Sequence, residues 1–289
     1  MSEQFVTNQT SLKKGKLIVI EGTDGSGKKT QTAKLLERLI AQGADLASGD
    51  ASLFTPHGAV SGSGQKVEKL ADIDEDKDPT IDVSQSGSFV QTIDFPRYGT
   101  PSCYLVEKYL HGGFGTANEV GPYVASMFYA VDRYDHSFDM KKKLEAGTIL
   151  VSDRYVSASM GHQAGKIDDL KERDIYLDWL DNLEFEIFKI PRPDLTIILY
   201  VDPETNQRLM ASRPDKEYLK GKKADIHEAD LEHLRKAGEA FLYVAKKFGW
   251  TVIDCAPKTA ENPEGKLLSI DEIHEIVWKE TKKVLENHE

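Results

Sequence analysis

Residues 17–30 run from an apolar, β-branched stretch (Leu17, Ile18, Val19, Ile20) through a turn holding Gly22, Gly25 and Gly27 into Lys28, Lys29 and Thr30. Glycines in such a turn permit backbone torsions that a Cβ resists, so successive N–H groups can point inward as an anion nest. Gly22, four residues, then Gly27-Lys28 is the spacing of a nucleotide-phosphate loop. In such a loop the following helix lends its positive end, and the lysine bridges β- and γ-phosphates. Ala33, Leu35, Leu36, Leu39 and Ile40 recur at helical intervals directly after it. Together with Thr23, Asp24 and Ser26, these residues predict a site for a nucleoside triphosphate. One position departs from the pattern. Lys29 stands where a hydroxyl normally helps hold magnesium, and Thr30 is turned about 100° further around the helix.

Four more apolar runs, at 89–93, 148–151, 195–201 and 251–253, read as strands. Helical patterns at 123–144, 230–248 and 271–285 lie among them, the last with Ser269 as its N-cap. Strands alternating with helices predict an α/β fold with a five-stranded parallel sheet flanked by helices. Residues 1–16 are polar, lack an apolar leader core, and read as a flexible N-terminus. Residues 17–289 then form a single domain. Residues 44–88 break the rhythm: they are rich in glycine and serine and carry an acidic run at 72–78. An αβ connection usually takes about 2–6 residues, so this is a long insertion after the first helix, either a solvated decoration or a lid or partner surface. A small hairpin is expected around 81–89.

The net charge of −11 argues against a general nucleic-acid or membrane surface. No apolar run of about 18 residues is present for crossing a membrane. Cys103 and Cys255 are far apart and form no CxxC pair, which fits a reducing cytoplasm better than a disulfide framework or zinc site. Anionic substrates must then meet local clusters of cations. Asp153-Arg154-Tyr155 closes the third apolar run, placing a carboxylate and a guanidinium where parallel sheets hold ligands. The arginine can clamp phosphate and the aspartate can hold magnesium or its waters, unless the two form a structural ion pair. Asp94-Phe95-Pro96-Arg97 ends the second run similarly. Tyr129 and Arg133, four apart, share a helical face that suits a base, or else are a core ring and a surface cation. Residues 208–228 include the most basic stretch, with Arg208, Arg213, Lys216, Lys220, Lys222 and Lys223; this is a solvated face or a phosphate-clamping lid.

In this order the motifs resemble the thymidylate kinases, P-loop nucleoside monophosphate kinases. The resemblance rests on Glu21 to Lys28, Phe95-Pro96-Arg97, Tyr129 to Arg133, Asp153-Arg154-Tyr155 and the basic loop. It implies a homodimer that moves the γ-phosphoryl of ATP, with Mg2+, onto thymidine monophosphate. Asp24 would contact the sugar 3′-hydroxyl, Arg97 and Arg154 the acceptor phosphate, and Tyr129 and Arg133 the base. Thr30 would serve the α-phosphate. Gly25 places the chain with members whose transition-state cation comes from the lid, here Arg213. His162 stands where a tyrosine commonly packs beside the base, and Asp153 would hold the metal through water. Lys28, Asp24, Arg154 and Arg213 form the expected catalytic set. The competing readings are a kinase for another pyrimidine nucleotide or nucleoside, or a nucleotide-binding regulator that lost catalysis through Lys29.

Overall fold

The structure is a computed structural model that describes residues 14–46, 89–206, 231–260, 262 and 265–286. The basic loop with Arg213 and residues 47–88 lie outside the described residues. In chain order the elements are β1 (Leu17–Gly22), α1 (Lys28–Ala41), β2 (Asp45–Leu46), β3 (Phe89–Asp94), α2 (Tyr104–Leu110) and α3 (Ala117–Glu145). There follow β4 (Ile149–Asp153), α4 (Val156–Ala164), α5 (Leu170–Asp181), β5 (Leu195–Tyr200), α6 (Leu231–Phe248), β6 (Thr251–Asp254) and α7 (Ile270–Glu286).

All strands are parallel, in the order β2-β3-β4-β1-β5-β6. The five expected strands are present. The sixth, β2, is a two-residue edge strand at 45–46 pairing with the start of β3, inside the stretch assigned to the insertion. Residues along β1 alternate between two cores, as the period of two in a strand requires. Leu17 and Val19 pack on the face that holds α3, α4 and α5, whereas Ile18 and Ile20 pack against Leu35 and Leu39 of α1 and Val277 of α7. β1 and β5 run so close at Gly22 that a Cβ there would lie 2.1 Å from Leu199 O, so no side chain fits.

The N-terminal boundary also differs from the sequence expectation. Gly15 N donates to Leu144 O at 2.7 Å and Leu150 N to Lys16 O at 2.8 Å, so these two residues already belong to the packed domain. The helix expected at 123–144 begins earlier, with a capping box at Thr116 and Glu119. Gly121, at φ 72°, then breaks the chain ahead of Pro122, and the longer helical segment follows.

Candidate active site

The carboxyl ends of β1, β3 and β4 open onto a cleft of about 440 Å³. The connections that leave the neighbouring strands β1 and β4 run to opposite sides of the sheet here, the usual crevice for ligands in such sheets. The loop after β1 uses left-handed glycines, Gly25 at φ 84° and Gly27 at φ 89°. Its other end is pinned to β5, because Val201 N donates to Thr23 Oγ1 at 3.3 Å. α1 then starts with no side-chain cap and no acid in its first turn, so its N–H groups are left for an anion. Ser26 Oγ is buried without a partner. Lys28 folds back over the loop, donating to Gly22 O at 2.9 Å and Thr23 O at 3.0 Å. Burial, aided by the nearby Arg154 charge, lowers its pKa to about 8. Lys29 and Thr30 lie exposed in the first turn of the helix, and Lys29 borders the cleft.

Arg154 is the hub. Its backbone is held at φ 68°, a conformation that non-glycine residues seldom adopt, by Arg154 N donating to Ile20 O at 3.1 Å and Ser152 Oγ donating to Arg154 O at 2.6 Å. The guanidinium donates to Asp24 Oδ1 at 3.0 Å and lies 3.1 Å from His162 Nε2 and 3.9 Å from the buried Glu21. Burial opposes the charge on Asp24, but the positive potential of His162, Lys28 and Arg154 outweighs it and holds the carboxyl well below its usual range. Glu21 goes the other way: its complete burial raises its pKa despite Arg154 and Lys28.

Asp153 and Asp94 are register partners at the ends of β4 and β3, and both border the cleft. Burial raises both pKa values, and Asp153 adds to the rise at Asp94 while Lys29 works against it at each. Asp153 Oδ1 is buried with no hydrogen-bond partner, the acceptor that the waters of a hydrated cation would need.

Tyr129 lines the cleft. Arg133 borders it too but is 1% exposed, and its Nε lies 3.0 Å from both carboxylate oxygens of Glu184. Its NH2 also donates to Glu184 and to Ser159 Oγ, and NH1 reaches Tyr155 O at 3.4 Å. It is therefore neither a surface cation nor one with a free guanidinium. Arg97 is not among the cleft residues: its NH1 donates to Asp135 at 3.1 Å and its backbone N to Asp132 at 2.8 Å, which turns it along α3. His162 lines the cleft. Asp94, named as the start of the Phe-Pro turn, lines it as well, and sequence reasoning passed over Tyr109, Gln163 and Lys166, which also line it. Gln163 and Lys166 carry one legible signal, a three-residue spacing just downstream of Asp153-Arg154-Tyr155.

The thymidylate kinase family model matches residues 83–264. A probable thymidylate kinase of Pyrobaculum calidifontis is 29% identical over 164 residues, 56% of this chain and 73% of that protein. A thymidylate kinase of Mycobacterium tuberculosis is 24% identical over 236 residues, 81% of this chain and 87% of the other. The solved thymidylate kinase of Candida albicans superposes with a TM-score of 0.57 at 22% identity, covering 94% of this chain and 93% of that one, and shows the same fold. With more than half of its length matched by the family model, the chain belongs to the thymidylate kinase family.

Proposed function

We propose that this chain uses ATP to phosphorylate dTMP to dTDP. The observation that carries the reading is the meeting, in one cleft, of an uncapped phosphate-loop helix, the Asp24–Arg154 pair and Tyr129. Phosphoryl transfer asks the protein for position and positive charge more than for covalent chemistry. Lys28 leaves its two loop carbonyls for the β- and γ-phosphates, while Arg154, already preorganised, takes the acceptor phosphate. Arg97 joins only by leaving Asp135. Asp24, kept ionised, accepts from the sugar hydroxyl. Tyr129 stacks on the base, Arg133 borders it through NH1, and His162 packs beside the base. Gly22 to Thr30 hold the triphosphate, and the 208–228 lid brings Arg213.

Asp153 Oδ1 suits Mg2+ through water, and the metal arriving with ATP would neutralise phosphate oxygens. Lys29 contributes part of that neutralisation. The test is ADP release with a panel of nucleosides and monophosphates, with and without magnesium. dTMP should give the highest kcat/KM, and Arg154→Ala should lower kcat by about 10²–10³ in a folded protein. A nucleoside preferred over its monophosphate would sink the reading.

We also infer a homodimer in the cytoplasm, built from a single domain. Val124, Met127, Val131, Tyr134 and Phe138 form an exposed apolar stripe on α3 with alternating spacings of three and four, the pattern that helix pairs bury. Val131→Glu should convert a sedimenting dimer to monomer; an unchanged mass would remove this role. Both cysteines are buried and unpaired, as a reducing compartment permits. Among the described residues no helix is long and apolar enough to cross a membrane.

A further inference from the structure

Lys166 is a cleft residue whose chemistry the roles above leave unused. Its Nζ donates to Gln163 Oε1 at 2.8 Å and to Tyr109 Oη at 3.2 Å. Both partners are neutral, and among the described residues no carboxylate pairs with it. A partly buried ammonium with two neutral partners still has one N–H to give, and it borders the cleft. Tyr109 is 7% exposed, and burial raises its pKa, so its hydroxyl keeps its proton. With an oxygen lone pair engaged by Lys166, that hydroxyl is a second donor beside the first.

We propose that Lys166 and Tyr109 form a two-donor clamp on an exocyclic keto oxygen of the acceptor base, selecting thymine over an aminopyrimidine; the proposal rests on the acceptor assignment above. Two donors 3.2 Å apart on the cleft wall match a carbonyl oxygen, which accepts twice. An exocyclic amino group brought there would leave both donors without an acceptor, the arrangement that gives the strongest discrimination between analogues.

The clamp sits at the base end of the cleft rather than the phosphate end. Arg154 precedes α4 and Lys166 follows it, and a helix of nine residues spans about 13 Å. The Tyr109 ring meets Tyr129, the proposed stacking ring, edge to face at 6.4 Å. Arg133 is largely committed to Glu184, so a base carbonyl needs another reader.

The experiment compares dTMP with 5-methyl-dCMP, whose base differs from thymine in having an amino group at C4. Steady-state kinetics are run on the full chain for wild type, Lys166→Gln, Lys166→Met and Tyr109→Phe. In the lysine variants KM for dTMP should rise about tenfold or more with kcat held within about threefold, and the preference for dTMP over 5-methyl-dCMP should fall by about the same factor. Tyr109→Phe should shift both quantities the same way by less, while KM for ATP stays unchanged. An unchanged preference in all three variants, or an equal loss with both acceptors, overturns the clamp while leaving the dTMP assignment standing. A wild-type enzyme that favours 5-methyl-dCMP overturns the clamp and the assignment together.

Discussion

Arg133 and Glu184 sit at 1% and 0% exposure, so little water screens either charge. Each has been stripped of its hydration, and the pair is tolerable only because the carboxylate faces Nε and NH2 together. Glu184→Ala should therefore destabilise the protein by about 3–5 kcal/mol, leaving a buried guanidinium with hydroxyl and carbonyl partners alone. Urea unfolding reads this directly. The double variant Arg133→Met, Glu184→Leu should recover most of the loss, and a single variant as stable as wild type would mean that water already reaches the arginine. The residue scale is also where sequence reading ran short. Tyr129 and Arg133 were visible as a helical pair, yet Glu184 lies 51 residues away in a wide helical turn, Asn182–Ile187. No local pattern links them. Arg97 was legible as a cation at a strand end, but whether it faces phosphate or Asp135 depends on where α3 packs.

Among elements, the strands were the most legible because a parallel sheet covered on both faces demands continuous β-branched runs, and β1 is buried throughout. α4 gave no such signal. Its sequence is small and mixed (Val156, Ser157, Ala158, Ser159, Met160, Gly161), and most of it is buried, so no polar face marks a period. Gly161 shows why small residues are needed: a Cβ there would come within 2.3 Å of the Phe241 ring on α6. α1 and α7 were each readable, but their joint was not. Gln31, in the first turn of α1, donates through Nε2 to Ile270 O at 2.9 Å, and its Oε1 lies 3.3 Å from Nδ1 of the buried His274. Burial, reinforced by Arg38 and Lys34, brings the His274 pKa down to about 4. The folded state thus holds a neutral ring that the unfolded chain protonates at about 6.5. Its contribution to stability is complete above about pH 6.5 and is lost as the pH falls towards 4, since the unfolded chain then binds the extra proton. Urea midpoints measured across that window should fall more steeply for wild type than for His274→Gln. Parallel curves would show that the ring titrates alike in both states.

At the scale of the whole molecule, the order of motifs along the chain carried the fold, while the insertion carried almost no signal beyond its composition. Its attachment points supply what composition could not. Leu46, the last residue of β2, is the register partner of Val90, the second residue of β3, so the two sit about one strand spacing, ~5 Å, from each other. A segment that leaves and re-enters at neighbouring points of an edge can be shortened without moving the sheet. Removing residues 49–82 would leave 47–48 and 83–88 as the connection, enough chain to reverse direction and return to β3. Closure entropy grows only logarithmically with loop length, so the shorter loop itself should change stability by only about 1.5 kcal/mol. The deletion variant should therefore melt within a few degrees of the full chain and keep its KM for ATP, because the phosphate loop and Arg154 follow β1 and β4, three and two strands inward from β2. A matching kcat/KM for dTMP would mark the insertion as solvated decoration. A lowered value with an unchanged melting temperature would make it a lid on the acceptor side, and a collapse of the melting temperature would show that part of the core comes from residues 49–82.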